Sequence, residues 1–213
     1  MKTLCRAVAL LFLTGAAAMP AAAQAGPLGG MLDPNLATEQ ELRAVPHVSA
    51  DLAKALVAGR PWLSPVALDS LLGRTLSPAQ RQEVFRKLWV QVNLNSASKA
   101  EILLIPGVGN RMLHEFEEYR PYDGLPRFRR EIAKYVDQAE LDRLTAYVFV
   151  PIELNTATDA DILSIPGVGR RMLHEFKEYR PYRGIEQFRR EIGKYVDAKE
   201  LARLERYVTL RQP

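Results

Sequence analysis

The chain of 213 residues carries 29 Lys and Arg against 25 Asp and Glu, a formal net charge of +4. This mild positive excess is compatible with binding to a polyanion but does not indicate it without the distribution of the charges. A single cysteine, Cys5, excludes an intramolecular disulfide. After the N-terminal 25 residues, no run of about 18 apolar residues predicts a membrane span.

The N-terminal segment, Met1–Ala25, has the layout of a secretory signal peptide. Lys2 and Arg6 form a positive start, an apolar run follows, and an Ala-Gln-Ala cleavage signal ends at Ala25. A membrane anchor is the alternative, although the run is short for a bilayer. We therefore expect a periplasmic or secreted protein. Removing Lys2 and Arg6 lowers the net charge from +4 to +2, and residues 26–33 are predicted to form a flexible leader.

One phrase of 18 residues occurs twice, sixty positions apart, at Ile105–Tyr122 and Ile165–Tyr182. A third, more divergent copy precedes them. The three copies share an asparagine, a proline and an Arg-Pro pair, at Asn35, Asn95 and Asn155, Pro46, Pro106 and Pro166, and Arg60-Pro61, Arg120-Pro121 and Arg180-Pro181. Self-similarity at a fixed period indicates repeated supersecondary units. The copies cover residues 34–92, 93–150 and 153–210.

Each copy predicts four short helices and almost no strand. The first helix follows a capping-box pattern and stops at the shared proline. The second ends at the Arg-Pro pair, because proline disfavours the helical conformation in the residue before it. A third covers about 126–135 in the second copy, and a fourth starts at Ser77, Asp137 and Asp197. The sequence therefore predicts an all-α fold of three tandem four-helix units of about 60 residues each.

In the second and third copies, a Pro-Gly-Val-Gly sequence joins the first two helices. Glycine permits positive φ and leaves backbone N–H groups uncovered at the start of a helix, where the dipole favours an anion. We expect a tight turn with an anion-sized notch, although a purely structural role for the glycines is the alternative. The first copy has Pro46-His47-Val48-Ser49 instead, and we expect it not to bind phosphate.

The segment Leu94–Gly109, LNSASKAEILLIPGVG, and its counterpart Leu154–Gly169 resemble the helix-hairpin-helix domain of the ComEA-type competence proteins. The resemblance implies three SAM-like helix-hairpin-helix units that bind duplex DNA without sequence preference, outside the cytoplasmic membrane. It also implies that hairpin amides and nearby basic side chains hold the phosphates. Carried over to this sequence, the contacts are Gly107, Val108, Gly109, Arg111, Gly167, Val168, Gly169, Arg170 and Arg171. Asn110 matches Arg170 and is a weaker candidate.

The chain departs from the family pattern at several places. The second hairpin of each unit lacks its glycines and has an acidic residue, Asp137 or Asp197, where a phosphate would lie. We therefore expect that half of the unit to be scaffold. Methionine replaces the lysine and leucine the alanine that usually follow the last glycine, at Met112, Met172, Leu113 and Leu173.

No other residues favour catalysis, a metal or a cofactor. His114 and His174 lack the second histidine that a zinc helix needs, because Glu118 and Glu178 occupy that position. No nucleophile–base pair or pair of catalytic carboxylates stands out, so we expect no enzyme activity.

Two further alternatives remain open. Arg129-Arg130 and Arg189-Arg190 are followed directly by glutamate, which favours a charged helix face over a second basic site. The lost glycines and the near-neutral charge suit a periplasmic protein–protein interaction scaffold with no nucleic-acid role. The same fold resembles that of an extrinsic subunit on the lumenal side of photosystem II, which docks onto protein.

Overall fold

The computed structural model describes residues 25–26 and 28–210. Apart from Ala25, the predicted signal peptide lies outside the described residues. Ala25 itself is 4% exposed, and its N–H donates to Ser164 Oγ at 3.2 Å.

The described part of the chain is mostly α-helical, with twelve helices and four strands of two residues each. The helices of residues 34–92 are α1 Glu39–Arg43, α2 Ala50–Ala58, α3 Pro65–Leu72 and α4 Pro78–Phe85. Those of residues 93–150 are α5 Lys99–Leu103, α6 Asn110–Glu118, α7 Leu125–Ile132 and α8 Gln138–Ala146. Those of residues 153–210 are α9 Asp159–Ser164, α10 Arg170–Glu178, α11 Ile185–Ile192 and α12 Ala198–Glu205. None of these twelve is long and apolar enough to cross a bilayer.

The predicted capping boxes are confirmed at the start of α1, α5 and α9. The Ser98 hydroxyl accepts from the Glu101 N–H at 3.3 Å, and the Glu101 carboxylate accepts from the Ser98 N–H at 2.8 Å. Thr158 and Asp161 form the same reciprocal pair, so aspartate can serve where glutamate is usual. Two of the N–H groups that a helix start leaves unpaired are therefore satisfied in each case.

The four strands were not predicted from the sequence. They are β1 Val92–Asn93, β2 Val148–Phe149, β3 Ile152–Glu153 and β4 Val208–Thr209. β1 pairs with β2 and β3 with β4, both in parallel, and Leu32 and Leu88 form a parallel bridge. Strands of two residues are too short to show the alternation by which a strand is recognised. The pairing brings the first and last residues of each copy together.

The recurring asparagines and arginines join the start of each copy to the segment around its Arg-Pro pair. Asn95 Nδ2 donates to the Tyr122 carbonyl at 2.8 Å, and its Oδ1 accepts from the Tyr122 N–H at 2.6 Å. Arg120 donates to the carbonyls of Leu94 and Ala97. Asn35 with Trp62 and Asn155 with Tyr182 repeat the asparagine bridge. These shared residues therefore have a structural role.

The apolar core lies in two clusters. The larger spans residues 31–150 and includes Trp89, whose indole N–H donates to the Tyr147 carbonyl at 3.0 Å and whose ring packs edge-on against Tyr147. The smaller contains Phe176 and Phe188 of the third copy. The first two copies thus share one core, whereas the third has its own.

Polar groups contribute to the contact between the third copy and the N-terminal part of the chain. Arg206 Nη2 donates to the Gln91 carbonyl at 2.5 Å. Asp33 is 6% exposed, and burial raises the pKa of its carboxyl group while the Asn35 N–H, Arg203 and Arg206 oppose the increase. Charges and hydrogen bonds therefore join the third copy to the rest of the chain, beside the packing of Phe149 of the second copy against Tyr207, whose ring centroids are 4.4 Å apart.

The segment 28–33 differs from the flexible leader predicted for residues 26–33. Leu32 donates to the Lys87 carbonyl at 2.8 Å and accepts from the Trp89 N–H at 2.9 Å. Met31 is 8% exposed. The glycine-rich composition suggested flexibility, but backbone pairing with residues 87–89 anchors this segment.

Candidate nucleic-acid interface

Three turns join the first and second helices of the copies, and we call residues 46–49, 106–109 and 166–169 the first, second and third turns. Gly107 has φ +82° and Gly167 has φ +78°. These values lie in the left-handed region, which glycine adopts without the strain of a Cβ. The conformation of the second and third turns therefore accounts for the first glycine of each.

The second glycine of each turn has a different role. Gly109 has an extended backbone, with φ −112°, and a Cβ added there would meet no atom within 4 Å. The same is true of Gly169. Neither residue offers a side chain to cap the helix that follows it. Glycine is therefore not required for the shape of the chain here, and its effect is to leave the helix start uncapped.

Uncapped helix starts leave several backbone donors free. The N–H groups of the N-cap and of the first three residues of an α-helix have no partner within the helix. The first N–H that donates within α6 is that of Leu113, to the Gly109 carbonyl. The N–H groups of 109–112 therefore make no hydrogen bond within the described residues, and the same holds for 169–172. Four donors at the positive end of a helix dipole form a site suited to an anion.

Val108 and Val168 contribute packing to the turns. The Val108 N–H donates to the Ile105 carbonyl at 3.0 Å, and the Val168 N–H donates to Ile165 in the same way. The Val108 side chain is 9% exposed. Among the predicted contacts, the valine amides are thus already used inside the turn, whereas the N–H groups of 109–112 and 169–172 are not.

The predicted basic residues belong to the same helix starts as these amides. Arg111, Arg170 and Arg171 lie in the first turns of α6 and α10 and are exposed, as is Asn110. The ion pairs of α6 join Lys99 to Glu117, His114 to Glu118 and Arg120 to Glu117. Those of α10 join His174 to Glu178 and Lys177 to Asp159. Within the described residues, the three arginines are therefore not neutralised by a carboxylate.

Two further arginines adjoin the turns and were not identified from the sequence. Arg143 Nη2 lies 3.4 Å from the position that a Cβ would take on Gly107, and Arg203 Nη2 lies 3.2 Å from that position on Gly167. Arg143 donates twice to Glu140, at 2.6 Å each. The Arg203 side chain is 1% exposed, and its Nη1 is buried without a partner. Arg143 and Arg203 occupy the same position in the second and third copies, where the first copy has Glu83. This shared basic position was the signal in the sequence that could have identified them.

The first turn keeps the shape of the others but not their chemistry. His47 has φ +65°, an uncommon value for a residue with a side chain. Ser49 caps α2 by accepting from the Leu52 N–H at 3.2 Å. Asp51 stands where the other copies have Arg111 and Arg171. A capped helix start with a carboxylate beside it disfavours an anion.

The second and third turns differ in their surroundings. A Cβ on Gly167 would lie 3.0 Å from Leu36 Cδ2, so the first copy packs against the third turn. Among the described residues, only Arg143 of the same copy lies within 4 Å of a Cβ built on Gly107. Gly167 and Gly169 are nevertheless exposed. The third turn is therefore partly shielded, whereas the second is open.

The second half of each copy carries the predicted acidic caps. The Asp137 carboxylate accepts from the Glu140 N–H at 2.9 Å, and that of Asp197 accepts from the Glu200 N–H at 2.8 Å. A negative side chain already occupies the starts of α8 and α12. These helix starts are therefore unfavourable positions for a phosphate.

The arginine pairs of α7 and α11 are bound to carboxylates, as the glutamates beside them suggested. Arg129 lies 2.6 Å from Asp142, and Arg130 lies 3.1 Å from Glu131. Arg189 and Arg190 form ion pairs with Glu205 and Glu191. These side chains form a charged helix face with little free positive charge.

The histidines of α6 and α10 lie in exposed pairs with glutamate. His114 Nε2 is 3.4 Å from Glu118, and His174 Nε2 is 3.3 Å from Glu178. Within the described part of the chain, no group of three or more His, Cys, Asp or Glu side chains is arranged to hold a metal ion.

Tyrosines connect the helices of the second and third copies. The Tyr119 and Tyr135 hydroxyls are 2.7 Å apart, and Lys134 Nζ lies 5.1 Å from the Tyr119 ring centroid. Hydrogen bonds to Tyr119 and Glu115 raise the pKa of Tyr135. Tyr122 is buried, which raises its pKa. These rings serve helix–helix contacts.

No protein-family model matches this chain, and neither a curated protein sequence nor a solved structure is significantly similar to it.

Proposed function

We propose that this protein binds duplex DNA through its sugar–phosphate backbone, without reading bases, at the second and third turns of three helix-hairpin-helix units. The observation that carries the proposal is the set of four unpaired N–H groups at residues 109–112, repeated at 169–172. Arg111 in the one and Arg170 and Arg171 in the other add exposed positive charge. The combination suits a phosphate diester, whose two non-bridging oxygens accept hydrogen bonds and share one negative charge.

The same geometry supports binding without sequence preference. The donors are backbone amides and flexible arginines near the surface, and phosphate contacts carry no base information. Residues 106–109 and 166–169, the second and third turns, carry no aromatic ring and no Asn or Gln side chain that would read base edges. With the predicted export signal, this favours a role in the uptake, retention or adhesion of extracellular DNA.

A salt series tests the proposal. The purified protein is titrated with two duplexes of unrelated sequence at several salt concentrations, with fluorescence anisotropy as the readout. We expect the logarithm of the affinity to fall linearly with the logarithm of salt, with a slope of about −0.9 per phosphate contacted and roughly two to six contacts. The two duplexes should bind equally. Absence of binding at about 50 mM salt, or an affinity independent of salt, would exclude the proposal.

The alternative, a protein–protein interaction scaffold, is favoured by one observation. Leu103 and Leu163 occupy corresponding positions just before the second and third turns and are 39% and 41% exposed. Exposed apolar side chains at repeated positions suit a repeated protein contact. Isolation of partners from a periplasmic extract, with and without nuclease, separates the two functions. A protein partner retained after nuclease treatment supports the scaffold.

A further inference from the structure

A cleft of about 690 Å³ adjoins the second turn and lies between the first and second copies. Met31 of the preceding segment and Arg86 of the first copy line it, as do Gly107 and Arg143 of the second copy. The cleft therefore begins at the turn whose free amides form the candidate phosphate site. No single copy could form it.

The cleft carries one uncompensated positive charge. Of its three arginines, Arg129 lies 2.6 Å from Asp142, and Arg143 lies 2.6 Å from Glu140. Arg86, at the C-terminal end of α4, is exposed. The ion pairs of α4 join Glu83 to His47 and Arg81 to Asp69, so Arg86 is unpaired within the described residues. An anion entering the cleft would meet Arg86 without displacing a carboxylate from it.

The lining also contains the two paired carboxylates, Glu140 and Asp142, and Thr145. Met31, Pro106, Ala146 and Tyr147 are apolar residues of the lining. Arg143 packs over the Tyr147 ring, 5.5 Å from its centroid, so its guanidinium is held in place by both the ring and Glu140. Guanidinium groups match the oxygens of a phosphate, and the apolar residues of the same cleft offer a surface to the sugar that the phosphate carries.

The third turn lacks this arrangement. The residue sixty positions after Arg86 is Ala146, which carries no charge. Arg206, the counterpart of Arg86 in the third copy, donates to the Gln91 carbonyl and lies over the Phe149 and Tyr207 rings. Among the described residues, the second turn alone combines free backbone N–H groups with an arginine held in place, Arg143, and an arginine without an ion pair, Arg86.

We propose that this cleft is a second backbone subsite, in which Arg86 and Arg143 hold the sugar–phosphate unit next to the phosphate bound by the amides of 109–112. The inference rests on the proposed DNA-binding function. It gives the first copy a part in binding, although its own turn is capped. One strand would thus contact two copies.

Arg86→Gln in the full chain tests the subsite, with Arg74→Gln as the matched control. Arg74 is also exposed, lies in the same copy and does not line the cleft. We expect Arg86→Gln to weaken duplex binding and to make the salt slope shallower by about 0.9, whereas Arg74→Gln leaves the slope unchanged. Circular dichroism should show both variants folded, and Arg86→Lys should restore most of the slope.

The outcomes separate the two proposals. If the unsubstituted protein binds no DNA, the proposed function fails. If it binds DNA and the two glutamine variants give the same slope, only the subsite is excluded. Competition distinguishes the ligand: an abasic oligodeoxynucleotide should displace duplex DNA far better than inorganic phosphate at equal phosphate concentration. Equal competition would mean that the cleft recognises a free anion and would overturn the subsite.

Discussion

His47 Nε2 lies 2.7 Å from Glu83 Oε2, at the place where the second copy has Gly107 beside Arg143. The first turn therefore keeps the left-handed backbone but replaces a glycine and an arginine with a side-chain pair. Ser49 also supplies the helix cap that Gly109 and Gly169 omit. The three turns therefore share one backbone conformation, but the first has a side-chain helix cap and the other two do not.

The first prediction transfers the cap of the first turn to the others. Gly109→Ser and Gly169→Ser should fold normally, because a Cβ meets no atom within 4 Å at either position. A serine cap should stabilise the protein by roughly a few tenths of a kcal/mol over glycine. It should also weaken DNA binding, since the hydroxyl oxygen occupies a donor that a phosphate would use. Urea denaturation and a DNA titration measure the two effects.

The reverse change, Ser49→Gly, is the control for this prediction. It should cost roughly a few tenths of a kcal/mol and leave DNA affinity unchanged. Unaltered DNA affinity in a protein carrying both serine substitutions would contradict a role for the open helix starts.

The second prediction concerns the two glycines of one turn. Gly107→Ala should destabilise the protein by about 1–2 kcal/mol, because its φ of +82° is strained for a residue with a Cβ. Gly109→Ala should change stability by less than about 0.5 kcal/mol, since its backbone is extended and the added carbon meets open space. Urea denaturation of both variants provides the comparison. Equal losses would show that the turn does not have this geometry.

The third prediction tests the asparagine bridge. Asn95→Ala removes two hydrogen bonds, of 2.8 and 2.6 Å, to the backbone of Tyr122. We expect a loss of about 1–3 kcal/mol in the free energy of unfolding, because the Tyr122 groups are left without partners. Asn110→Ala, at an exposed site, should stay within about 0.5 kcal/mol. Thermal and urea unfolding should agree, and a neutral effect at Asn95 would refute the bridge.

The fourth prediction concerns pH. Burial raises the pKa of Asp33 above its ordinary 3.8. A raised acid pKa means that folding favours the protonated form, so this contribution to stability is present below about pH 3.8 and is lost as pH rises through the folded pKa. Asp33→Asn should therefore be at least as stable as the unsubstituted protein at pH 7, with the difference declining as pH falls below the folded pKa.

Asparagine is suited to this position, because Asn93 occupies it in the second copy and accepts from the Asn95 N–H at 2.9 Å, as Asp33 does from Asn35 at 2.8 Å. The free energy of unfolding of both proteins, measured from pH 3 to pH 8, checks the prediction. A variant clearly less stable at pH 7 would indicate that the attraction between Asp33 and Arg203 or Arg206 outweighs burial.

The helices were predictable because their signals are local. Ser98 with Glu101 marks a start, and the proline of Arg120-Pro121 marks an end, whatever the rest of the chain does. The turn residues followed from the same local chemistry. The free amides at Gly109 and the charge at Arg111 could therefore be proposed before the packing was known.

The remaining features depend on distant residues. The parallel strands pair residues 56 positions apart, as Val92 with Val148, and no local pattern reveals this. Arg143 and Arg86 reach the second turn only through packing of α8 and of the first copy. The positive φ of His47 could not be predicted either, because no glycine marks that position in the sequence.

The parallel pairing has a consequence for how such a chain can lengthen. Val92 pairs with Val148, and Ile152 pairs with Val208. The first and last residues of each of these two stretches therefore lie side by side. A segment with adjacent ends can be duplicated in tandem while its neighbours keep their positions. The near-identity of Ile105–Tyr122 and Ile165–Tyr182 is what a recent genetic duplication of such a segment would leave behind.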